Sequence, residues 1–199
     1  MTIEIPDIYS RQVNSILSKL PQTPFVVDVV GKAIQISCDE NRNNEKFLSR
    51  LLFVADKVAK YTGECSSPVS YKYALIASIL LAGIPQDKYA VIDTTSNTVS
   101  TAVKLITDFI FTDSFKEKWI ILNQIAKHDS DLLYVVFCYI NAEIENILAQ
   151  DGIGLMDRVI LTGYAYIEVS LRKSAITVPN RQYTEYNHFM SLMMKKVNF

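Results

Sequence analysis

The fold is decided by the stretch Leu75–Pro85, which reads LIASILLAGIP. The eight residues before Gly83 include one polar side chain, Ser78, so about two turns of helix would have no polar face. Gly83 and Pro85 end this pattern, because glycine favours helix ends and proline lacks the backbone N–H that continues a helix. The stretch therefore predicts a buried helix that stops at its glycine.

Helical spacing of apolar residues extends through almost the whole chain. Alternation with a period of two residues, which a half-buried strand shows, never persists long enough to predict a sheet. Proline at positions 21 and 24, the capping box Ser114–Glu117 and glycine at positions 152 and 154 mark boundaries between helices. Polar segments predict loops over residues 39–44 and 86–98. We expect an all-α fold, a single-domain helical bundle of about eight helices over residues 1–199.

The charge balance is nearly neutral, with 20 Lys and Arg residues, 21 Asp and Glu residues and a net charge of -1. Such a chain offers no broad basic surface for a phosphate backbone, so we expect no nucleic-acid partner. Residues 1–7 have neither the cationic nor the apolar region of a secretion signal, and the apolar run over about residues 73–84 is too short to cross a bilayer. We therefore expect no membrane partner and a cytoplasmic location.

Hydrophobic residues make up 49% of the sequence, which is more than a strongly solvated monomer needs. This excess leaves room for a buried subunit interface, and a homo-oligomer is compatible with it. The three cysteines, Cys38, Cys65 and Cys138, lack the CxxC spacing of a structural zinc site. We expect buried or half-buried free thiols and no cofactor.

The helix order, followed outward from Leu75–Gly83, resembles that of the HD-domain hydrolases. These are the RelA/SpoT-type and small alarmone hydrolases, which remove pyrophosphate from guanosine tetraphosphate. Leu75–Gly83 is similar to the family's LIAAALLHD, and Ile84–Asp87 falls where the family continues VVED. Upstream, Lys46–Arg50 followed by Val54 and Ala55 is similar to PYIEHPLEVA. Downstream, Val103–Asp108 is similar to VAELVD, and Leu132–Asn141 to LLVKLADRLHN.

The resemblance implies that the metal-ligand positions hold other residue types in this chain. Arg50 stands where the family has its first metal-binding histidine, and Cys138 where it has its last metal-binding aspartate. Ala82 and Gly83 stand where the family has its His-Asp pair. A guanidinium, a methyl group, a glycine and a thiol neither hold Mn²⁺ nor acidify its water. We therefore expect no metal site and no catalytic residue.

What the resemblance implies instead is an HD-like core over about residues 25–150, with the C-terminal helices 155–197 packed on it. Arg50 would bring positive charge to the place of the metal, where it could hold a phosphate or a carboxylate. The ligand-binding candidates of this vestigial cleft are Arg42, Arg50, Asp87, Cys138 and Tyr139.

Three functions fit these observations. The leading interpretation is a catalytically inactive HD-like helical domain that binds an anionic nucleotide in the vestigial cleft or binds a protein partner. An alternative is an active phosphohydrolase of the ppGpp hydrolase type, whose metal ligands would be His128, Asp129 and Asp131 or Asp87. A third is a helical scaffold or oligomerisation protein without a cleft function.

Two further motifs have structural explanations. The segment His128–Asp131 lies in a polar turn, where Asp129 or Ser130 is expected to cap the helix that follows. An aromatic and basic group near the C-terminus consists of Tyr164, Tyr166, Arg172, Lys173, Arg181, Tyr183 and Tyr186. It could anchor a partner, although tyrosines at this density in an apolar helical chain favour half-buried packing.

Overall fold

A computed structural model describes residues 6–63, 68–82, 84–85, 87–88, 97–174 and 183–196. Within these ranges every regular element is helical, which confirms the all-α prediction. After a 3-10 turn at Asp7–Tyr9, the helices are α1 Ser10–Lys19, α2 Pro24–Glu40, α3 Glu45–Gly63, α4 Val69–Leu80, α5 Asn97–Phe111, α6 Phe115–His128, α7 Ser130–Leu148, α8 Leu155–Lys173 and α9 Tyr183–Lys196.

The chain forms two compact units, Met1–Phe111 and Thr112–Phe199. The boundary between them falls inside the predicted HD-like core of residues 25–150. The prediction of one domain over residues 1–199 stays a prediction, and the two units are described separately.

In the first unit, α4 is the central helix, because α2, α3 and α5 all pack against it. All of its side chains from Tyr73 to Leu80 are buried, as the apolar stretch predicts. The ring of Tyr73 meets that of Phe25 on α2 edge to face, with centroids 5.6 Å apart. Ser78, the one polar residue of the stretch, places its hydroxyl 3.4 Å from that of Thr107 on α5. The buried hydroxyl of Ser78 thereby has a hydrogen-bond partner that replaces the water it loses on folding.

In the second unit, α7 has the same central position. Helices α6, α8 and α9 pack against it, and α8 also contacts α6 and α9. The rings of Phe137 on α7 and Phe189 on α9 lie 5.9 Å apart. Nearby, His188 Nε2 lies 2.7 Å from a carboxylate oxygen of Glu145. An aromatic contact and a polar contact therefore join α9 to α7.

Side-chain caps start three of the helices at positions that the sequence marks. Thr23 accepts a hydrogen bond from the backbone N–H of Val26, just ahead of Pro24 in the first turn of α2. Ser114 accepts one from Glu117 at the start of α6, which confirms the N-terminal half of the predicted capping box. The carboxylate of Asp129 accepts one from Asp131 N–H at 2.7 Å, which confirms the predicted cap of α7.

Some of the smaller predictions concern described residues, and others lie outside them. Cys38 and Cys138 are buried free thiols, as predicted, and Cys65 lies outside the described residues. Gly83 and most of the predicted loop over 86–98 also lie outside them. Across the described ranges, none of the helices is both long enough and apolar enough for a transmembrane span.

Candidate functional site

Three of the five ligand-binding candidates belong to the first unit. Arg42 is exposed in the turn after α2, where its guanidinium lies 3.1 Å from the carboxylate of Asp39. Arg50 is half-buried on α3, and Asp87 is exposed. Ala82, which the resemblance aligns with the family's metal-binding histidine, is half-buried just after α4.

The other two candidates, Cys138 and Tyr139, are consecutive residues of α7 in the second unit. Cys138 is completely buried, so its thiol presents no surface to solvent. Tyr139 is also buried and takes part in a polar cluster at the junction of three helices. The vestigial cleft that would join these residues to Arg50 stays a prediction.

This polar cluster consists of Lys118 on α6, Tyr139 and Glu143 on α7, and Tyr164 on α8. The hydroxyl of Tyr164 donates a hydrogen bond to the carboxylate of Glu143. The same hydroxyl interacts with Tyr139, and Tyr164 itself is completely buried. The cluster therefore fixes one face of α8 against α6 and α7, because a buried hydroxyl is costly to separate from its acceptor.

Burial shifts the protonation of this cluster in the direction of neutral groups. It lowers the pKa of Lys118 to about 8, although the carboxylates of Glu143 and Asp113 act in the opposite direction. Burial raises the pKa of Tyr164 well above its usual value, and the negative charge of Glu143 and the neighbouring Tyr139 raise it further. Because Tyr164 is completely buried and its hydroxyl is bonded to Glu143, we assign the cluster a structural role.

A close approach between α6 and α8 lies beside the cluster. Gly163 has no side chain, and a Cβ atom built there would lie 2.1 Å from the ring of Phe115. The same ring meets that of Tyr164 edge to face at 5.2 Å. The ring of Phe115 thus packs against α8 where Gly163 has no side chain, and it contacts the ring of Tyr164 there.

The opposite face of α8 is also apolar, and it is exposed. Leu155 is 79% exposed and Met156 69%, while Val159, Tyr166 and Val169 are exposed by between 44% and 52%. Residues 155, 159, 166 and 169 recur at the spacing of one helix face, with Met156 beside them in the first turn. We call these five residues the α8 apolar surface.

The polar groups around the α8 apolar surface are compatible with a dry contact. Thr162, in its middle, is exposed, but its hydroxyl donates a hydrogen bond to the carbonyl of Arg158 at 2.7 Å. That hydrogen bond survives if water is removed from the surface. Arg172, near the end of the helix, pairs with Glu168 on its own helix. Lys173 follows it and is exposed.

The sequence pattern contained this surface, but burial was needed to recognise it. An apolar residue at helical spacing ordinarily predicts packing against the rest of the chain, so Leu155 and Val159 do not stand out in the sequence alone. A second apolar line on the opposite side of the same helix is the signal that would have found the surface. Tyr166, Arg172 and Lys173 of the aromatic and basic group lie on α8, whereas Arg181 and the side chains of Tyr183 and Tyr186 lie outside the described residues.

Among the described residues, no three His, Cys, Asp or Glu side chains come together in a group that could hold a metal ion. Comparisons with protein-family models, with curated proteins and with solved structures found no match to the chain. The candidate function therefore rests on the chemistry of the chain's own residues.

Proposed function

We propose that the protein is a helical binding domain that holds a protein partner on the α8 apolar surface. The observation that carries this proposal is the exposure of Leu155 and Met156, two large apolar side chains, beside three further apolar residues on the same helix. Single exposed apolar residues are common on any protein, but a continuous group of them marks contact sites.

The size of the surface supports a protein as the occupant. Five side chains with these exposures present on the order of 500 Å² of apolar surface, within the range of the largest patches found on soluble proteins. Such a convex line on a helix suits a groove or a second helix. A small molecule would need a concave site that covers most of its surface.

The rigid inner face of α8 also supports the proposal. The exposed apolar residues would be weaker evidence for a binding site if the helix could rotate and bury them. Tyr164, hydrogen-bonded to Glu143, and Gly163, against the ring of Phe115, hold the other face in place. Rotation of α8 would break the buried hydrogen bond and drive a ring into the helix backbone, so the apolar line stays available to a partner.

The proposal keeps the binding function that the sequence favours and does not depend on the HD-domain resemblance. Catalytic inactivity, a relationship to HD-domain hydrolases and a cytoplasmic location remain parts of the proposed picture that rest on sequence alone. The replacement of the family's ligands by Arg50, Ala82, Gly83 and Cys138 is the reason for proposing binding without hydrolysis.

Site-specific photo-crosslinking in the cells that make the protein tests the proposal. A p-benzoylphenylalanine at Met156 lies in the α8 apolar surface, and the same residue at Val69, which is 41% exposed on α4, serves as the control. We expect a discrete covalent adduct from position 156 that is absent at position 69 and is suppressed when Val159→Glu is added. Equal adduct formation at both positions, or none at either, would overturn the proposed function.

A nucleotide in the vestigial cleft is the other form of binding that the sequence predicts. A thermal-shift screen that includes guanosine tetraphosphate tests it, because a ligand that binds only the native state raises the melting temperature. Loss of that shift in Arg50→Ala, with Arg11→Ala at an exposed arginine of α1 as the matched control, would locate the nucleotide. Near-stoichiometric Mn, Fe or Zn in the purified protein would instead favour the active phosphohydrolase.

A further inference from the structure

We propose that the occupant of the α8 apolar surface is a second copy of the same chain, whose α8 lies antiparallel to the first. This inference rests on the proposed function and names its partner. It follows from the order of charges along the helix, from the register of the apolar residues and from the area that the surface offers.

The two ends of α8 carry opposite net charge. At its start, the exposed Asp151 and Asp157, which caps the backbone N–H of Gly154, outnumber Arg158. Arg172 and Lys173 occupy its last turn. A parallel pair would bring the basic ends of both copies together. An antiparallel pair brings the acidic end of each copy to the basic end of the other. The two helix dipoles then point in opposite directions, which is the favourable arrangement.

The apolar residues match in the same antiparallel register. If the two helices cross at Thr162, each position faces the one equally far on the other side of that residue. Leu155 then faces Val169 of the partner, and Arg158 faces the ring of Tyr166, a favourable arrangement for a guanidinium. Asp151, in the bend before α8, lies toward the end of the partner helix that holds Lys173. Each of these contacts occurs twice, as in any two-fold symmetric interface.

Thr162 suits the crossing point of this pair. Its side chain is small, and its hydroxyl already bonds to the carbonyl of Arg158 within the helix. Two helices can approach closely where the facing residues are small, and the hydroxyl of Thr162 keeps its partner when water leaves. The centre of the surface is therefore suited to close contact between two copies.

The available area sets the strength of the pair. About 500 Å² from each copy gives on the order of 1,000 Å² in total, at the lower limit of specific interfaces. We therefore expect a reversible dimer with a dissociation constant of roughly 10–100 μM, well below the affinity of an obligate dimer. The hydrophobic content of 49% is in keeping with a contact of this kind.

Sedimentation equilibrium of the full chain from about 5 μM to ~1 mM tests the dimer at concentrations that bracket its expected affinity. Val159→Glu places two carboxylates in the dry centre of the contact and should weaken association at least about ten-fold. The matched control, Val69→Glu, makes the same change at a half-exposed valine of α4 and should leave association unchanged. Far-UV circular dichroism establishes that both variants keep their helices.

Charge exchange tests the antiparallel register. Lys173→Glu and Asp151→Lys each turn two attractive pairs into repulsive ones, and each should weaken the dimer roughly three- to ten-fold. The double variant Asp151→Lys with Lys173→Glu restores attraction with reversed sign and should recover most of the wild-type affinity. Raised salt should weaken the wild-type dimer and leave an uncharged contact unaffected.

Each outcome decides one part of the inference. A protein that stays monomeric throughout overturns the second copy as occupant. The proposed function then stands if the crosslink at position 156 joins a different protein, and it fails with the inference if that position forms no adduct. Association unaffected by Val159→Glu overturns the α8 location, and failure of the double variant to recover overturns the antiparallel register.

Discussion

Helices α4 and α8 are both apolar on more than one side, yet only α4 is buried on all sides over most of its length. Helix α4 lies against α2, α3 and α5, and its side chains from Tyr73 to Leu80 are all buried. Helix α8 packs one side against its neighbours and leaves five apolar residues of the other side exposed. The difference shows that apolar spacing predicts where a helix can avoid water, whereas the arrangement of the neighbouring helices decides which of its sides they cover.

The sharpest test of this contrast is the same substitution in both helices. Leu75 on α4 is completely buried, and Leu155 on α8 is 79% exposed. Leu75→Ala removes buried methylene groups and leaves a cavity, so we expect a loss of about 3 kcal/mol in the free energy of unfolding. Leu155→Ala should change it by less than about 0.5 kcal/mol, because its side chain is already hydrated.

Urea unfolding followed by circular dichroism measures both values, at a protein concentration of a few micromolar, at which the proposed dimer is dissociated. Mass action would otherwise add dimer stability to the effect of Leu155→Ala. Similar losses in the two variants would remove the contrast between α4 and α8. They would mean that Leu155 packs against other parts of the chain.

The pH dependence of stability tests whether the inner face of α8 is as closed as that of α4. Burial lowers the pKa of Lys118 to about 8 in the folded protein, below its ordinary value near 10.5. Between these values the unfolded chain binds the proton and the folded chain does not, so stability rises with pH. The penalty for a buried ammonium is complete below pH 8 and disappears as the pH approaches 10.5. We expect a gain of roughly 2 kcal/mol from this residue between pH 7.5 and 9.5.

Other groups titrate in the same range, so the measurement is a difference. Burial, with a smaller contribution from Asp39, raises the pKa of Cys38, and burial raises that of Tyr73, so both oppose the gain at alkaline pH. Lys118→Met retains the aliphatic packing and removes only the amine. Subtracting its unfolding free energies from those of the wild type isolates Lys118, and the difference should change steeply above pH 8. A constant difference from pH 7.5 to 9.5 would place the amine in water.

Much of the fold follows from local chemistry that a sequence displays. The caps Asp129 of α7 and Ser114 of α6 accept hydrogen bonds from backbone N–H groups two and three residues away. Backbone groups at a helix end need partners within one turn, so the residues that supply them stand close in sequence. These features could therefore be predicted without any knowledge of tertiary packing.

The site depends on relations that sequence spacing does not contain. Tyr164 and Glu143 are separated by 21 positions, and their hydrogen bond requires α7 and α8 to lie side by side. Tyr164 was recognised only as a member of an aromatic group, and Lys118 not at all. Val159 is likewise exposed because no helix of the described structure covers it. The sequence of α8 alone cannot show whether another helix covers this side. The candidates Arg42, Arg50 and Asp87 came from a resemblance, and their roles stay predictions.

The smallest expected effect, Gly163→Ala, tests how closely the inner face of α8 is packed. Alanine in place of glycine within a helix normally stabilises by roughly 0.5–1 kcal/mol, because the unfolded chain loses freedom. At this position the new Cβ atom would lie 2.1 Å from the ring of Phe115, so the ring must move or the helices must separate. Overpacking of this kind costs roughly 1–3 kcal/mol, and we expect a net destabilisation of about 1 kcal/mol.

In a Phe115→Ala background the obstacle is gone, and the same substitution should become stabilising. The exposed Gly152, whose Cβ would meet nothing within 4 Å, is the control position for Gly→Ala. A change of sign between the two backgrounds, measured by urea unfolding, would identify the contact as the cause. An equal effect in both would mean that α8 is free to shift on its inner face, and the distinction between its two faces would then be lost.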